Sequence, residues 1–214
     1  MIGRREPDWG GLRARMVERQ LRARGIADER VLAAMGLVPR EAFVPVEVAS
    51  YAYDDAALPI GEAQTISQPY IVAAMCELLE LDGSEHVLDV GTGSGYAAAV
   101  LDELAAGVVS VERIAVLAER ARRALEDTGH GGVEVRVADG ALGAPGHAPF
   151  QAIAVAAATP VVPRALYDQL ALGGRLVLPL GASRGQLLTR VVRTNEGPEQ
   201  TALIGCRFVP LVDG

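Results

Sequence analysis

Lysine is absent from this sequence, and long hydrophobic runs, aromatic residues and cysteines are scarce. All 20 basic residues among the 214 are arginines, and 27 acidic residues bring the net charge to −7. A chain this acidic is a poor candidate for sequence-independent nucleic-acid binding, which depends on neutralising phosphates. The apolar run 153–162 falls well short of the roughly 20 residues that a membrane span needs. The composition therefore predicts a protein that binds neither nucleic acid nor a membrane.

The two cysteines, Cys76 and Cys206, stand alone in apolar surroundings. Such isolated cysteines are typical of buried, free thiols in a reducing cytoplasm, and their spacing indicates no metal site. The charged N-terminus has no apolar segment typical of a secretory signal. We therefore expect a cytoplasmic protein without a bound metal. Half of the residues are hydrophobic but only 4% are aromatic, so an aliphatic core is expected.

Helical spacing of apolar residues characterises the N-terminal part, residues 1–83. The spacing predicts a helix over 11–24, a second helix capped by Asp28, and a third capped by Ser67. Prolines and glycines in 38–66 predict a loop with short turns between the second and third helices.

Short apolar strands alternate with helical segments in residues 84–214. Strands are predicted at 86–90, 108–111, 133–137, 150–155 and 175–180, and helices at 95–104, 114–127 and 163–170. This alternation is typical of an α/β fold with a mostly parallel sheet. Residues 187–192 and 201–209 predict an antiparallel pair that closes the sheet. We expect residues 1–214 to form a single domain, in which 1–83 supply helices and 84–214 an α/β core.

A glycine-rich turn follows the first predicted strand of the core. Gly91, Gly93 and Gly95 have the spacing G-x-G-x-G, which differs from the G-x-G-x-x-G of dinucleotide-binding proteins. An acid two residues before this turn suits a ligand that bears a carboxylate and an amine. The start of the following helix adds N–H donors and a partial positive charge. The ligand contacts predicted here are Asp89, Gly91, Thr92, Gly93 and Ser94.

Acidic residues also end the next two predicted strands. Glu112 could accept hydrogen bonds from both hydroxyls of a ribose, and Asp139, followed by Gly140, from an adenine amine. Taken alone, Glu112 could be an acid at a helix N-terminus and Asp139 part of a turn. With Asp89, these acids at three successive strand ends outline a nucleoside pocket. The pattern favours S-adenosyl-L-methionine over a nicotinamide dinucleotide.

Several segments of the chain resemble the protein-L-isoaspartate O-methyltransferase family. The resemblance covers positions 11–211; its segment 64–70 is specific to this family, whereas the glycine-rich turn is common to methyltransferases. The other matching segments are 16–21, 38–45, 58–61, 110–113, 173–177 and 207–211.

This resemblance implies a cytoplasmic, monomeric enzyme with a Rossmann-like class I methyltransferase fold. Members methylate the free α-carboxylate of isoaspartyl residues in damaged peptides and proteins, and the ester then closes to a succinimide. S-adenosyl-L-methionine is the methyl donor and S-adenosyl-L-homocysteine the product. The resemblance assigns the active site to Thr65 and Ser67, with Ser67 as the active-site serine, and adds Gln64 and Ile66 to the cofactor contacts.

The residue types present are consistent with carboxyl methylation. A carboxylate is already ionised at pH 7, so its methylation needs no general base. Ser67 is then expected to orient the substrate rather than to act as a nucleophile, although a serine here could also be a plain helix cap. The hydroxyls of Thr65 and Ser67 and the N–H groups that begin the third helix are the expected donors to an anionic substrate.

Five positions depart from the family's pattern, and we expect them to cluster near the substrate. They are Ala63, Ala138, Ala144, Gln151 and Ala156. If position 63 requires a positive φ, its alanine costs stability or reshapes the loop. The departures leave open a divergent relative that methylates aspartyl or isoaspartyl carboxylates of a dedicated peptide partner. A non-catalytic module that binds S-adenosylmethionine or a protein partner is a third hypothesis, which the intact loop 65–67 disfavours.

Overall fold

Three helices form in the N-terminal part, as the apolar spacing predicts. The computed structural model describes residues 7–181 and 185–212. Its helices here are α1 (Trp9–Met16), α2 (Glu29–Leu37) and α3 (Pro69–Leu79). The first is shorter than predicted, because the chain continues from Met16 into a π turn and a 3₁₀ turn that ends at Gly25 with φ +98°. Asp28 caps α2 as predicted, accepting from the N–H groups of Arg30 and Val31.

Two predictions for the segment before α3 are wrong. Residues 38–66 are not all loop, because β1 (Leu58–Gly61) and β2 (Gln64–Ile66) form an antiparallel hairpin. Ser67 does not cap α3: the helix begins one residue later, after Gln68, and no side chain makes a capping hydrogen bond there. A residue that precedes proline is disfavoured in the helical region, which explains why Gln68 lies outside the helix that Pro69 begins.

The predicted α/β alternation after residue 84 is confirmed. The strands are β3 (His86–Val90), β4 (Gly107–Glu112), β5 (Glu134–Val137), β6 (Phe150–Val155), β7 (Leu170–Leu180), β8 (Gln186–Thr194) and β9 (Gly197–Cys206). The helices are α4 (Tyr96–Asp102), α5 (Ala115–Asp127) and α6 (Arg164–Asp168). Helices α4 and α6 are shorter than predicted. Strand β7 starts earlier than predicted, because Leu170 already pairs with Phe150.

These seven strands form one sheet in the order β5-β4-β3-β6-β7-β8-β9. Strands β3 to β7 pair in parallel, and β8 and β9 add an antiparallel edge, as predicted. Because β4 lies on one side of β3 and β6 on the other, the connections diverge at the carboxyl end of β3. Such a divergence opens a crevice where ligands bind in parallel sheets.

Apolar side chains pack into two clusters of buried residues. One contains Met16 and Met35 from the N-terminal part together with Tyr96 and Leu117 from the α/β part. None of the helices within 7–181 and 185–212 is long and apolar enough to cross a bilayer. In the same ranges, no group of three or more His, Cys, Asp or Glu residues could hold a metal ion.

Both cysteines are free, but only one of them is fully buried. Cys76 lies in the core, and burial raises the pKa of its thiol to about 12. The prediction that Cys206 is also buried is wrong, because this residue ends the edge strand β9 and is half-exposed.

Candidate active site

A cavity of about 920 Å³ lies at the carboxyl ends of the parallel strands. Its lining includes the active-site segment (residues 64–67), the C-terminal segment (residues 205–212) and the glycine loop (residues 91–95), of which residues 91–94 face the cavity. Its volume falls in the range of pockets that enclose small-molecule ligands. The cavity therefore brings together the segment specific to the resembled family and the turn shared by methyltransferases.

The glycine loop is fixed against β4 by its backbone. The N–H groups of Gly91 and Thr92 donate to the carbonyl of Val111 at 2.9 and 3.2 Å. Gly91 has φ +95°, which favours glycine. A Cβ on Gly95 would lie 3.3 Å from the Cβ of Ala121, so the absence of a side chain lets α4 pack closely against α5. Glycine is thus needed for the turn at 91 and for helix packing at 95.

A buried chain of hydrogen bonds supports this loop from below. The hydroxyl of Ser110 donates to Asp89 Oδ2 at 2.7 Å, and the hydroxyls of Ser110 and Thr92 are 2.5 Å apart. Because Ser110 donates its only hydroxyl proton to Asp89, the hydroxyl of Thr92 is the donor in its bond with Ser110. Asp89 is 1% exposed, and burial raises the pKa of its carboxyl to about 6. Asp89 is not among the residues that line the cavity and supports the loop from beneath; its contact with a ligand stays a prediction.

Glu112 lies in the cavity wall at the end of β4. Its carboxylate accepts from the N–H of Gly93 and from the N–H of Ile114, both at 2.9 Å, and the residue is only 6% exposed. Each carboxylate oxygen has two acceptor sites, so both retain capacity for a ligand. Both functions considered for this acid are therefore compatible with its position: it supports the start of α5 and offers acceptors to the cavity.

Asp139 and Gly140 begin a 3₁₀ turn after β5. The carboxylate of Asp139 accepts from the N–H of Ala141 at 2.9 Å, and Gly140 lines the cavity. A Cβ on Gly140 would lie 2.9 Å from Val90 Cγ1, so the wall needs glycine at this position. Asp139 itself is not a lining residue. Its bond to Ala141 fits the turn function, and its contact with an adenine amine stays a prediction.

The active-site segment presents hydroxyl groups to the cavity. Gln64, Thr65, Ile66 and Ser67 all line it, with Thr65 exposed, Ser67 half-buried and Ile66 buried. Neither Thr65 nor Ser67 donates its hydroxyl to another residue within the part of the chain that the structure describes. Both hydroxyls are thus available to a ligand. The carbonyl of Ser67 accepts from Arg40 Nη2 at 2.8 Å, which fixes the backbone there.

Two arginines at the cavity were not predicted from the sequence as site residues. Arg113 and Arg207 are exposed and belong to the cavity lining. Arg207 precedes residues 209–211, which are fastened to Ala158 by two backbone hydrogen bonds of 2.8 Å. Both arginines fall in segments that match the family, and this match could have identified them as site residues. They bring local positive charge to a protein whose net charge is −7.

The positions that depart from the family's pattern do not cluster at the cavity, so that expectation is wrong. Of the five, only Ala156 is a lining residue. Gln151 accepts from the N–H of His86 at the amino end of the sheet, opposite the cavity, and Ala144 donates its N–H to Gln169. Ala63 lies at the tip of the β1–β2 hairpin with φ +55°. These positions therefore give little reason to expect a changed substrate.

The sheet order, its antiparallel edge and the glycine loop beneath the cavity define a class I S-adenosylmethionine-dependent methyltransferase fold. The family model described as protein-L-isoaspartate(D-aspartate) O-methyltransferase matches residues 13–214. The chain belongs to this family.

Relatives and solved structures agree with this assignment. A protein-L-isoaspartate O-methyltransferase of Methanoculleus marisnigri is 55% identical over 200 residues, which cover 94% of this chain and 91% of the relative. One of Syntrophobacter fumaroxidans is 56% identical, with 94% of both chains covered. A solved protein-L-isoaspartate O-methyltransferase has a TM-score of 0.83 at 30% identity; the match covers 94% of this chain and 66% of that longer chain. A Plasmodium falciparum structure in complex with S-adenosyl-L-homocysteine shares the fold, with a TM-score of 0.82 at 23% identity and 97% and 99% coverage.

Proposed function

We propose that this chain methylates the free α-carboxylate of L-isoaspartyl residues in damaged proteins and peptides, and so starts repair through a succinimide. One observation carries the proposal: the active-site segment and the glycine loop line the same cavity. A carboxylate held by the hydroxyls of Thr65 and Ser67 would therefore lie beside a methyl donor held by the glycine loop. Membership of the family supports the same reaction.

The cavity suits the family's methyl donor. When bound, S-adenosyl-L-methionine supplies a sulfonium-bound methyl group, whose transfer to a carboxylate oxygen leaves S-adenosyl-L-homocysteine. Glu112 would hold the ribose hydroxyls, since its carboxylate lies in the wall with acceptor capacity left. Gly140 would border the adenine, and the backbone of Gly91 and Gly93 the methionine part. The volume of about 920 Å³ leaves room for a substrate side chain as well.

The residues of the chain act by position rather than by proton transfer. An α-carboxylate is ionised at neutral pH, so the reaction requires alignment and exclusion of water more than a base. The hydroxyls of Thr65 and Ser67 donate to the carboxylate and orient one oxygen toward the methyl group. The exposed Arg207, which lines the cavity, favours an anionic substrate. The buried side chain of Ile66 contributes an apolar surface that excludes water.

Labelled methyl transfer to a matched pair of hexapeptides, one isoaspartyl and one aspartyl, tests this function. The proposal expects base-labile label on the isoaspartyl peptide alone, as an ester requires. The variant S67A, compared at saturating S-adenosylmethionine, is expected to transfer much less label while still binding the cofactor. Label on neither peptide, with cofactor still bound by the wild type, would reject repair of generic isoaspartyl residues.

That last result would favour the alternative, a relative that methylates carboxylates of a dedicated peptide partner. Ala156 is the only departure from the family's pattern among the cavity-lining residues, so the alternative has little structural support. It would be pursued by offering the protein candidate partner peptides from the same cell and assaying for methyl esters.

We further infer that the protein acts as a monomeric, single-domain enzyme in the cytoplasm and does not bind nucleic acid. The net charge of −7 supports the last point. Shared packing of Met16 and Met35 with Tyr96 and Leu117 supports one domain that includes both 1–83 and 84–214. Light scattering after size exclusion tests the monomer: a mass near 22.4 kDa is expected, and twice that value would contradict it.

A further inference from the structure

A guanidinium group without a carboxylate partner lies wholly inside the protein, directly behind the active-site cavity. Arg40 is 0% exposed. Its Nε donates to the carbonyl of Ala52 at 2.7 Å, and its Nη2 donates to the carbonyl of Ser67 at 2.8 Å. The guanidinium carbon lies 4.9 Å from the centre of the Tyr96 ring. Its Nη1 has no hydrogen-bond partner within residues 7–181 and 185–212.

Burial distinguishes this side chain, because Arg40 is the one buried arginine among the residues that the structure describes. Arg175 pairs with Glu85 at 3.2 Å and Arg13 with Glu41 at 3.1 Å, whereas Arg40 forms no ion pair with any residue that the structure describes. Burial lowers the pKa of the Arg40 guanidinium to about 10, so it remains charged at neutral pH. A buried charge without a counter-ion is costly, and one orphaned donor adds to the cost. Tyr96 and two carbonyls compensate it only in part.

The contacts of Arg40 connect the two sides of the active site. Ser67 belongs to the active-site segment, and Tyr96 begins α4 directly after the glycine loop; both residues line the cavity. The guanidinium thus contacts one lining residue on the substrate side, Ser67, and one on the cofactor side, Tyr96. A charge at this depth is screened by salt much less than the exposed Arg113 and Arg207 are. Its contribution of positive potential to the cavity therefore depends little on salt.

We propose that Arg40 is a positioning residue for the carboxylate substrate, which fixes the backbone of Ser67 and supplies the buried positive charge that favours an anion in the cavity. The two contributions are separable. The fork of Nε and Nη2 holds Ala52 and Ser67 together, and this geometry needs arginine. The charge alone can be provided by lysine. The proposal rests on the proposed function, because it assumes that the anion is the substrate's α-carboxylate.

Two variants and a pair of ligands test it. R40K keeps the charge and loses the fork, whereas R40M loses both. The ligands are an isoaspartyl hexapeptide and the same peptide with its α-carboxylate converted to the neutral carboxamide. Binding of each is measured by calorimetry in the presence of S-adenosyl-L-homocysteine, and kcat is measured with the acid peptide. R30M is the matched control, since Arg30 also donates to two backbone carbonyls, but those of Leu81 and Leu104, which do not line the cavity.

We expect R40M to lose about tenfold in its preference for the acid over the amide, while R40K and R30M keep the preference within about twofold. R40K is expected to lose about tenfold in kcat with unchanged affinity for S-adenosyl-L-homocysteine, because Ser67 is no longer held. Equal weakening of both peptides in R40M would make Arg40 structural only and overturn the proposal. If R40M does not fold, R40K alone decides. An unchanged kcat of R40K, or loss of its preference for the acid peptide over the amide peptide, would overturn the proposal. Absence of methyl transfer by the wild type would instead reject the proposed function.

Discussion

Replacement of Ala63 by glycine is expected to stabilise the protein. Ala63 and Glu62 form the tip of the β1–β2 hairpin with φ values of +55° and +52°. A Cβ in this left-handed region costs roughly 1–2 kcal/mol. Glycine removes that strain but adds freedom to the unfolded chain, which costs about 0.4–1 kcal/mol. The midpoints of these two ranges predict that Ala63→Gly raises the free energy of unfolding by about 0.8 kcal/mol.

Denaturation by urea and by heat measures this gain. For a protein of this size, 1 kcal/mol corresponds to about 2–4 °C in Tm, so a rise of about 1–4 °C is expected. Ala56→Gly is the matched control. Ala56 is also exposed and near the same hairpin but has no positive φ, so its variant is expected to lose about 0.4–1 kcal/mol. Turnover should change little in Ala63→Gly, since Ala63 does not line the cavity.

An Ala63→Gly variant that is no more stable than the wild type would refute the strain assigned to position 63. Equal changes in stability for Ala63→Gly and Ala56→Gly would refute it as well, because the strain at position 63 would then be absent. A gain in stability accompanied by loss of cofactor binding would indicate that the strained turn helps to shape the active-site segment that follows it.

Three further predictions concern the cavity and its support. Ser67→Ala is expected to lower kcat by about tenfold or more while S-adenosylmethionine affinity stays within about twofold; equal losses in kinetics and calorimetry would make Ser67 structural. Glu112→Ala should weaken cofactor binding by about 1–3 kcal/mol. An unchanged Kd for S-adenosylmethionine would show that Glu112 does not bind the ribose hydroxyls. Because burial raises the pKa of Asp89 to about 6, above its unfolded value, the wild type should lose stability between pH 4 and pH 7 relative to Asp89→Asn, by up to about 3 kcal/mol. Parallel pH profiles of unfolding would contradict this.

Local patterns explain what the sequence predicts well. The α/β alternation is readable because each strand is an apolar run and each helix has its own spacing. Asp28 is recognisable as a cap because capping depends on residues two and three positions away. Glu112 is recognisable because it directly ends a strand whose neighbours in the sheet follow from chain order. In each case the decisive contacts lie close together in sequence or follow from the topology.

The features that were missed depend on contacts between distant parts of the chain. The β1–β2 hairpin lacks the Asn-Gly or Asp-Gly signal, since Glu62 and Ala63 form its turn, and its strands are too short for periodicity. The bond from Ser110 to Asp89 was not predicted, because apolar runs in a buried parallel strand do not tell which face a side chain takes. Arginine is normally exposed, so only the tertiary structure reveals that Arg40 is buried.

The walls of the cavity include residues 64–67, 91–94 and 205–212, which are far apart along the chain. A protein that has lost any one of these segments from its folded structure has no complete cavity, so ligand binding requires the fully folded state. A ligand at one hundred times its Kd adds about 2.7 kcal/mol to stability under this condition. The Tm of this protein should therefore depend on the concentration of methyl donor around it. Where the donor is scarce, the ligand-free enzyme is itself more easily unfolded and damaged.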